Sequence, residues 1–181
     1  METQIIELDG PAIERRLAAL SQILIESVAD GAAISFMAPV SDDDAAMFWL
    51  RDVRPEVQAG RRVVFGAERG GETVGTVQLL TAMPPNQPHR CEIAKMIVHP
   101  GARRLGIGRA LMNRAIERAR ELGKTLVTLD TRTGDVAEPL YASVGFEVAG
   151  MIPDFAFDPD GQARHATTYM FRRIQGQGQD L

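Results

Sequence analysis

The sequence predicts a single α/β (α+β) domain with a mixed sheet. Three observations carry that expectation. Segments with helical apolar spacing are interleaved with short apolar strand-like runs, so neither class dominates. A Gly70-Gly71 pair between two such runs marks a hairpin, because both positions tolerate positive φ. The 181 residues fit one domain with a substantial core, and no linker or internal repeat divides them.

From the N-terminus, Gln4 to Leu8 reads as a short strand. Ala12 to Ala29 repeats Leu17, Leu20, Ile23, Leu24, Ser27 and Val28 at helical spacing, and Asp30-Gly31 ends it. Gly31 to Val40 has no period and reads as a loop. Ser41, followed by three aspartates, starts a second helix that carries Met47, Phe48, Leu50 and Val53 and stops near Pro55. Arg62 to Glu68 and Glu72 to Leu80 are the hairpin strands. A proline-rich loop follows, then a strand from Glu92 to His99.

A helix from about Gly106 to Leu122 presents Leu111, Ala115, Ile116, Ala119 and Leu122 on one face, with Gly123 as its stop. Thr125 to Asp130 is a strand and Asp135 to Val144 a short helix. Asp135 and Glu138 have the spacing of a capping box. A last hairpin turns at Asp158-Pro159-Asp160-Gly161. The domain is expected to span 1–174, with a disordered tail over 175–181.

Bulk properties exclude several function classes. The net charge of −4 argues against a nucleic-acid partner. A single cysteine and three scattered histidines argue against a metal site. No long apolar run or leader pattern is present, so no membrane partner and a cytoplasmic location are expected. The oligomeric state is not legible.

The stretch VHPGARRLGIGR, Val98 to Arg109, gathers glycines and arginines just before a helix, which suggests an anion site. A nucleotide P-loop is excluded, because Ile107 and Gly108 stand where its Lys and Ser/Thr belong. A dinucleotide fingerprint fits poorly. Leu111 replaces its third glycine, Pro100 to Leu105 separate the glycines from the strand, and the βαβαβ alternation is missing. What remains is Arg-x-x-Gly-x-Gly. Its glycines let phosphate oxygens approach the backbone, and Arg103, Arg104 and Arg109 add charge. On these residues alone, a glycine-softened loop capping a structural helix stays open.

That motif, together with YASVGF at Tyr141 to Phe146, resembles the GNAT superfamily of N-acetyltransferases. The likeness narrows to the tabtoxin-resistance group through GAAISFM at Gly31, EIAKMIVHPGARRLGIGRALM from Glu92, LDTRTGDVAEPLY from Leu129, and PDGQARHATTYMF near the end. The resemblance implies a central sheet of about six or seven strands, two of them parallel and splayed. Acetyl-CoA would be the cosubstrate, its pantetheine on the backbone of Met96, Ile97 and Val98. Its pyrophosphate would sit on Arg103, Arg104, Leu105, Gly106, Ile107, Gly108, Arg109 and Ala110.

Tyr141 matches the tyrosine that donates to the departing thiolate. Glu92 and Asp130 match acidic positions for amine recognition and base catalysis, with Phe36 walling the acceptor pocket. The implied acceptor is a small-molecule amine, and the narrower group implies an amino-acid-like toxin or antibiotic such as tabtoxinine-β-lactam. Because Glu92 opens one strand and Asp130 ends the other, the two are expected at opposite ends. Val136 and Ala137 stand where many superfamily members carry an asparagine. A non-catalytic acyl-CoA-binding domain would keep Gly106 and Gly108 yet have no use for Glu92, Asp130 and Tyr141 together.

Overall fold

A computed structural model describes residues 2–175; all but the first residue of the tail expected over 175–181 lies outside them. Seven strands form one sheet in the order β1-β2-β3-β4-β5-β7-β6. They are β1 (Thr3–Glu7), β2 (Arg62–Arg69), β3 (Glu72–Leu80), β4 (Arg90–Val98), β5 (Leu126–Arg132), β6 (Glu147–Phe157) and β7 (Arg164–Arg173). Among the described strands only β4 and β5 run parallel. The glycine hairpin joins β2 to β3, with Gly70 and Gly71 at φ 63° and 87°. Positive φ at both central residues matches the right-handed strand twist.

The helices differ from the sequence reading in instructive ways. The first periodic segment is two helices, α1 (Gly10–Arg15) and α2 (Leu17–Ala29). Asp9 caps α1 through a 2.7 Å bond from the Ala12 N–H, with Pro11 in the first turn, so α1 starts before Ala12. At Arg16 the ladder breaks, its N–H shared between the Ala12 and Ile13 carbonyls. The second segment does not stop at Pro55. It runs as α3 (Asp42–Met47), a π-helical turn (Phe48–Val53) and α4 (Arg54–Gln58). Pro55 lies in the first turn of α4, where its missing N–H costs nothing.

Helix α5 (Ile107–Glu121) packs Leu111, Met112, Ala115, Ile116 and Ala119 on one face of the sheet, against Phe65, Val77, Leu79, Cys91 and Val127. Leu122, expected on that stripe, lies past the helix end and is exposed. Helices α1 to α4 cover the other face, with Leu8, Ile13, Leu20, Trp49 and Val64 at its centre. Helix α6 (Ala137–Ser143) is shorter than expected, and Asp135 does not form the capping box. Glu138 reaches back to the Gly134 N–H at 2.8 Å, one residue earlier than the box requires.

Two irregularities in β4 position the site. Its register against β3 slips by one residue between Ala94 and Ile97, a bulge at which Lys95 takes φ 51°. On its other side β4 pairs with β5 only over Arg90–Glu92 and Leu126–Thr128, after which the strands part. The backbone of β4 from Ile93 onward therefore faces a gap on the β5 side.

Candidate functional site

The gap opens toward the start of α5. Gly106 is the N-cap of that helix at φ 78°, with no side-chain cap. A Cβ there would meet nothing within 4 Å, so glycine is selected by conformation rather than by space. The first helical bond runs from the Ala110 N–H to the Gly106 carbonyl at 3.1 Å. The N–H groups of Ile107, Gly108 and Arg109 therefore have no partner in the turn before them, and they form a cradle for an anion. Ile107, 2% exposed, roots the helix start in the core.

Gly108 has a different reason to be glycine. A Cβ there would lie 3.0 Å from Leu140 Cδ2 and 3.6 Å from Met96 Sδ. The start of α5 thus approaches both β4 and α6 closely.

The three arginines are not equivalent. Arg103 donates from Nε to the Val98 carbonyl at 3.2 Å and pairs with Asp30 at the end of α2. Arg104 and Arg109 are exposed and form no ion pair among the described residues. The expected triple anion clamp is therefore two free cations and one tethered one. His99 fixes the entry to the loop. Its Nδ1 accepts from the Gly101 N–H at 3.1 Å, which puts the ring proton on Nε2, 2.6 Å from Glu26. The sequence reading missed His99, Glu26 and Asp30; a charged pair four residues apart on α2 was the only signal.

Glu92 and Asp130 do not lie at opposite ends. Strand register puts Glu92 opposite Thr128, and Asp130 is one side-chain step further on the same face, about 7 Å along the strand. Strand β4 begins two residues before Glu92 and β5 continues two residues past Asp130, so neither carboxylate sits at a strand end as the pattern suggested. Glu92 is paired with Arg90 at 3.1 Å, and Arg90 also donates to Thr128 Oγ1 at 2.8 Å. Asp130 is exposed and has no hydrogen bond or ion pair among the described residues.

Tyr141 is 7% exposed, its ring 6.3 Å from that of Phe146. Burial, then the carboxylates of Asp135 and Asp130, push its phenol well above the ordinary value, so it remains a proton donor across neutral pH.

Phe36 lines a cleft of about 520 Å³ between the loop after α2, the π-helical turn and the β4 bulge. Lys95 enters the same cleft, its Nζ 3.1 Å from Ser35 Oγ and 5.8 Å from the centre of the Phe36 ring. Burial lowers the Lys95 pKa, and Asp130 opposes that shift. The Asp130 carboxylate therefore acts on both Lys95 and Tyr141, whereas Glu92 is turned toward Arg90.

A model of the acetyltransferase (GNAT) family matches residues 26–146. The chain belongs to that family. Rat N-acetyltransferase 8B is 35% identical over 86 residues, which cover 46% of this chain and 39% of the relative. The chain spans less than half the length of the curated relatives it matches. Among solved structures, a ribosomal-protein-alanine N-acetyltransferase from Brucella melitensis is 26% identical, with TM-score 0.78 over 94% of this chain and 99% of that one. A Salmonella typhimurium acetyltransferase solved with its cofactor acetyl-CoA shares the fold at TM-score 0.78 and 22% identity, covering 98% and 97% of the two chains.

The family match covers the bulged strand, the glycine loop, α5 and the helix that carries Tyr141. Among the described residues no helix is long and apolar enough to cross a membrane, and no cluster of three or more metal-ligating side chains occurs.

Proposed function

We propose that the protein is an acetyl-CoA-dependent N-acetyltransferase that acts on the amine of a small, amino-acid-like molecule. The observation that carries this reading is one juxtaposition. The uncapped start of α5 opens onto the gap between β4 and β5, and Asp130 and Tyr141 belong to the elements that follow that gap.

Unpaired N–H groups from Ile107 to Arg109, with Arg104 and Arg109, fit a coenzyme pyrophosphate. The free backbone edge from Met96 to Val98 fits an amide-bearing pantetheine arm. The acceptor amine, once neutral, attacks the thioester carbonyl and the C–S bond breaks. In this proposal Asp130 takes the amine proton, directly or through water, and Tyr141 hands its proton to the thiolate. Asp130 is preferred to Glu92 as base because its carboxylate is free and Glu92 is held by Arg90.

The resemblance of several sequence blocks to the tabtoxin-resistance group makes tabtoxinine-β-lactam the acceptor to test first, and acetylation of its amine would be a detoxification step. The one cysteine, Cys91, is buried and free, which fits a reducing compartment, and the proposal places the protein in the cytoplasm. Thiol release from acetyl-CoA, measured across a panel of amines that includes tabtoxinine-β-lactam, tests the reading. Acceptor-dependent thiol with at least one small amine is expected. Tight coenzyme binding without any acceptor-dependent thiol would overturn it in favour of an acyl-CoA-binding domain.

A further inference from the structure

Lys95 stands out within the acceptor cleft. A strand bulge at φ 51° is an uncommon place for a lysine, since a left-handed backbone strains any residue with a Cβ. Ser35, the one hydrogen-bond partner of its side chain among the described residues, also has positive φ, at 69°. Two strained non-glycine residues thus meet across one cleft, and strain of this kind persists where a site needs the geometry. The cost extends to the charge. Among the described residues Lys95 forms no ion pair, and much of the wall around it is apolar, from Phe36, Met37, Val40, Met47 and Phe48. Burial correspondingly lowers its pKa. A residue chosen for stability alone would be apolar here.

Resting on the acetyltransferase reading, we infer that Lys95 is the specificity residue of the acceptor cleft, and that the acceptor is an aminocarboxylate whose carboxylate pairs with Lys95 Nζ. Its apolar body lies along Phe36 and Phe48. The ligand is singly anionic at that point because Asp44 and Asp52 also line the cleft, and a phosphate or dicarboxylate would be repelled by them. The same two carboxylates favour a zwitterion that brings its own ammonium. An aminocarboxylate offers Lys95 Nζ a direct ion-pair partner and the acidic walls an ammonium, which a simple amine does not.

The test compares each amino acid of a panel, tabtoxinine-β-lactam included, with its own carboxamide, using the full chain and saturating acetyl-CoA. In the wild type, KM for the carboxylate form is expected to be about 10- to 100-fold lower than for the carboxamide, the scale of one charge-assisted pair. Lys95→Met should bring the two KM values together while leaving the Kd for acetyl-CoA unchanged. Lys95→Arg should recover part of the preference, which also shows that a folded variant is being read. Equal KM values in the wild type, or a preference that survives Lys95→Met, would overturn the inference and leave the acetyltransferase reading standing. Transfer only to carboxylate-free amines would do the same. No transfer to any amine would remove both.

Discussion

Replacing Tyr141 by Phe removes one oxygen from a ring that is otherwise held in the core beside Phe146. Because the hydroxyl donates to no protein group among the described residues, the fold loses no hydrogen bond there, and stability should change by less than about 0.5 kcal/mol. Catalysis should respond very differently. Without a donor the thiolate leaves unprotonated, and a well-placed general acid contributes about 10²- to 10⁴-fold. We expect kcat to fall by about 10²-fold, equivalent to about 2.7 kcal/mol. The Kd for acetyl-CoA should stay within about threefold, since a proton donor to the leaving sulfur acts in the transition state and not in the ground state.

Steady-state thiol release and calorimetric coenzyme titration separate these quantities, and a thermal melt checks the fold. Because burial and the two neighbouring carboxylates raise the phenol, the wild-type kcat should show no descending limb from Tyr141 at or below its ordinary pKa of about 10. Turnover within threefold of wild type would refute the assignment. So would a coenzyme affinity that falls by the same factor as kcat, because Tyr141 would then be a binding residue.

Asp130→Asn should lower kcat by at least about tenfold with little change in melting temperature, because Asp130 is exposed and unpaired; Glu92→Gln should cost less, and the reverse order in thiol release would exchange their roles. Gly106→Ala should destabilise by about 1 kcal/mol from its φ of 78° alone, whereas Gly108→Ala should sit nearer neutral as helix propensity offsets the Leu140 contact. Denaturant midpoints read both.

Cys91 should resist thiol reagents in the native state and react once unfolded, since burial pushes its pKa up to about 12. The sign follows from proton counts. Between about pH 9 and pH 12 the unfolded chain loses the thiol proton and the native chain keeps it, so stability is full below that window and falls as pH rises through it.

Local signals in the chain carried much of the architecture. The Gly70-Gly71 turn, the apolar stripe of α5 and the glycines before it are legible because each rests on a few neighbouring residues. Where the reading failed, the cause was a competing contact. The first helix breaks at Arg16 although its apolar period continues, and the second passes through Pro55 because a π-helical turn places the proline in a first turn. The capping box went to Gly134 instead of Asp135.

Composition, periodicity and motif spacing by themselves determined a single mixed domain with a glycine-lined helix start, and the resemblance to the GNAT superfamily added the residues implied for acyl transfer. They could not determine which of those residues share a face. Strand register decided that Glu92 and Asp130 are one step apart, and packing decided that Arg90 engages the first and leaves the second free. The bulge that turns Lys95 toward Phe36 is likewise invisible in EIAKMIV, where a lysine in an apolar strand reads only as an interruption. Propensity acts over a few residues, whereas register and burial are set by elements far apart in the chain, and the acceptor cleft is built from the latter.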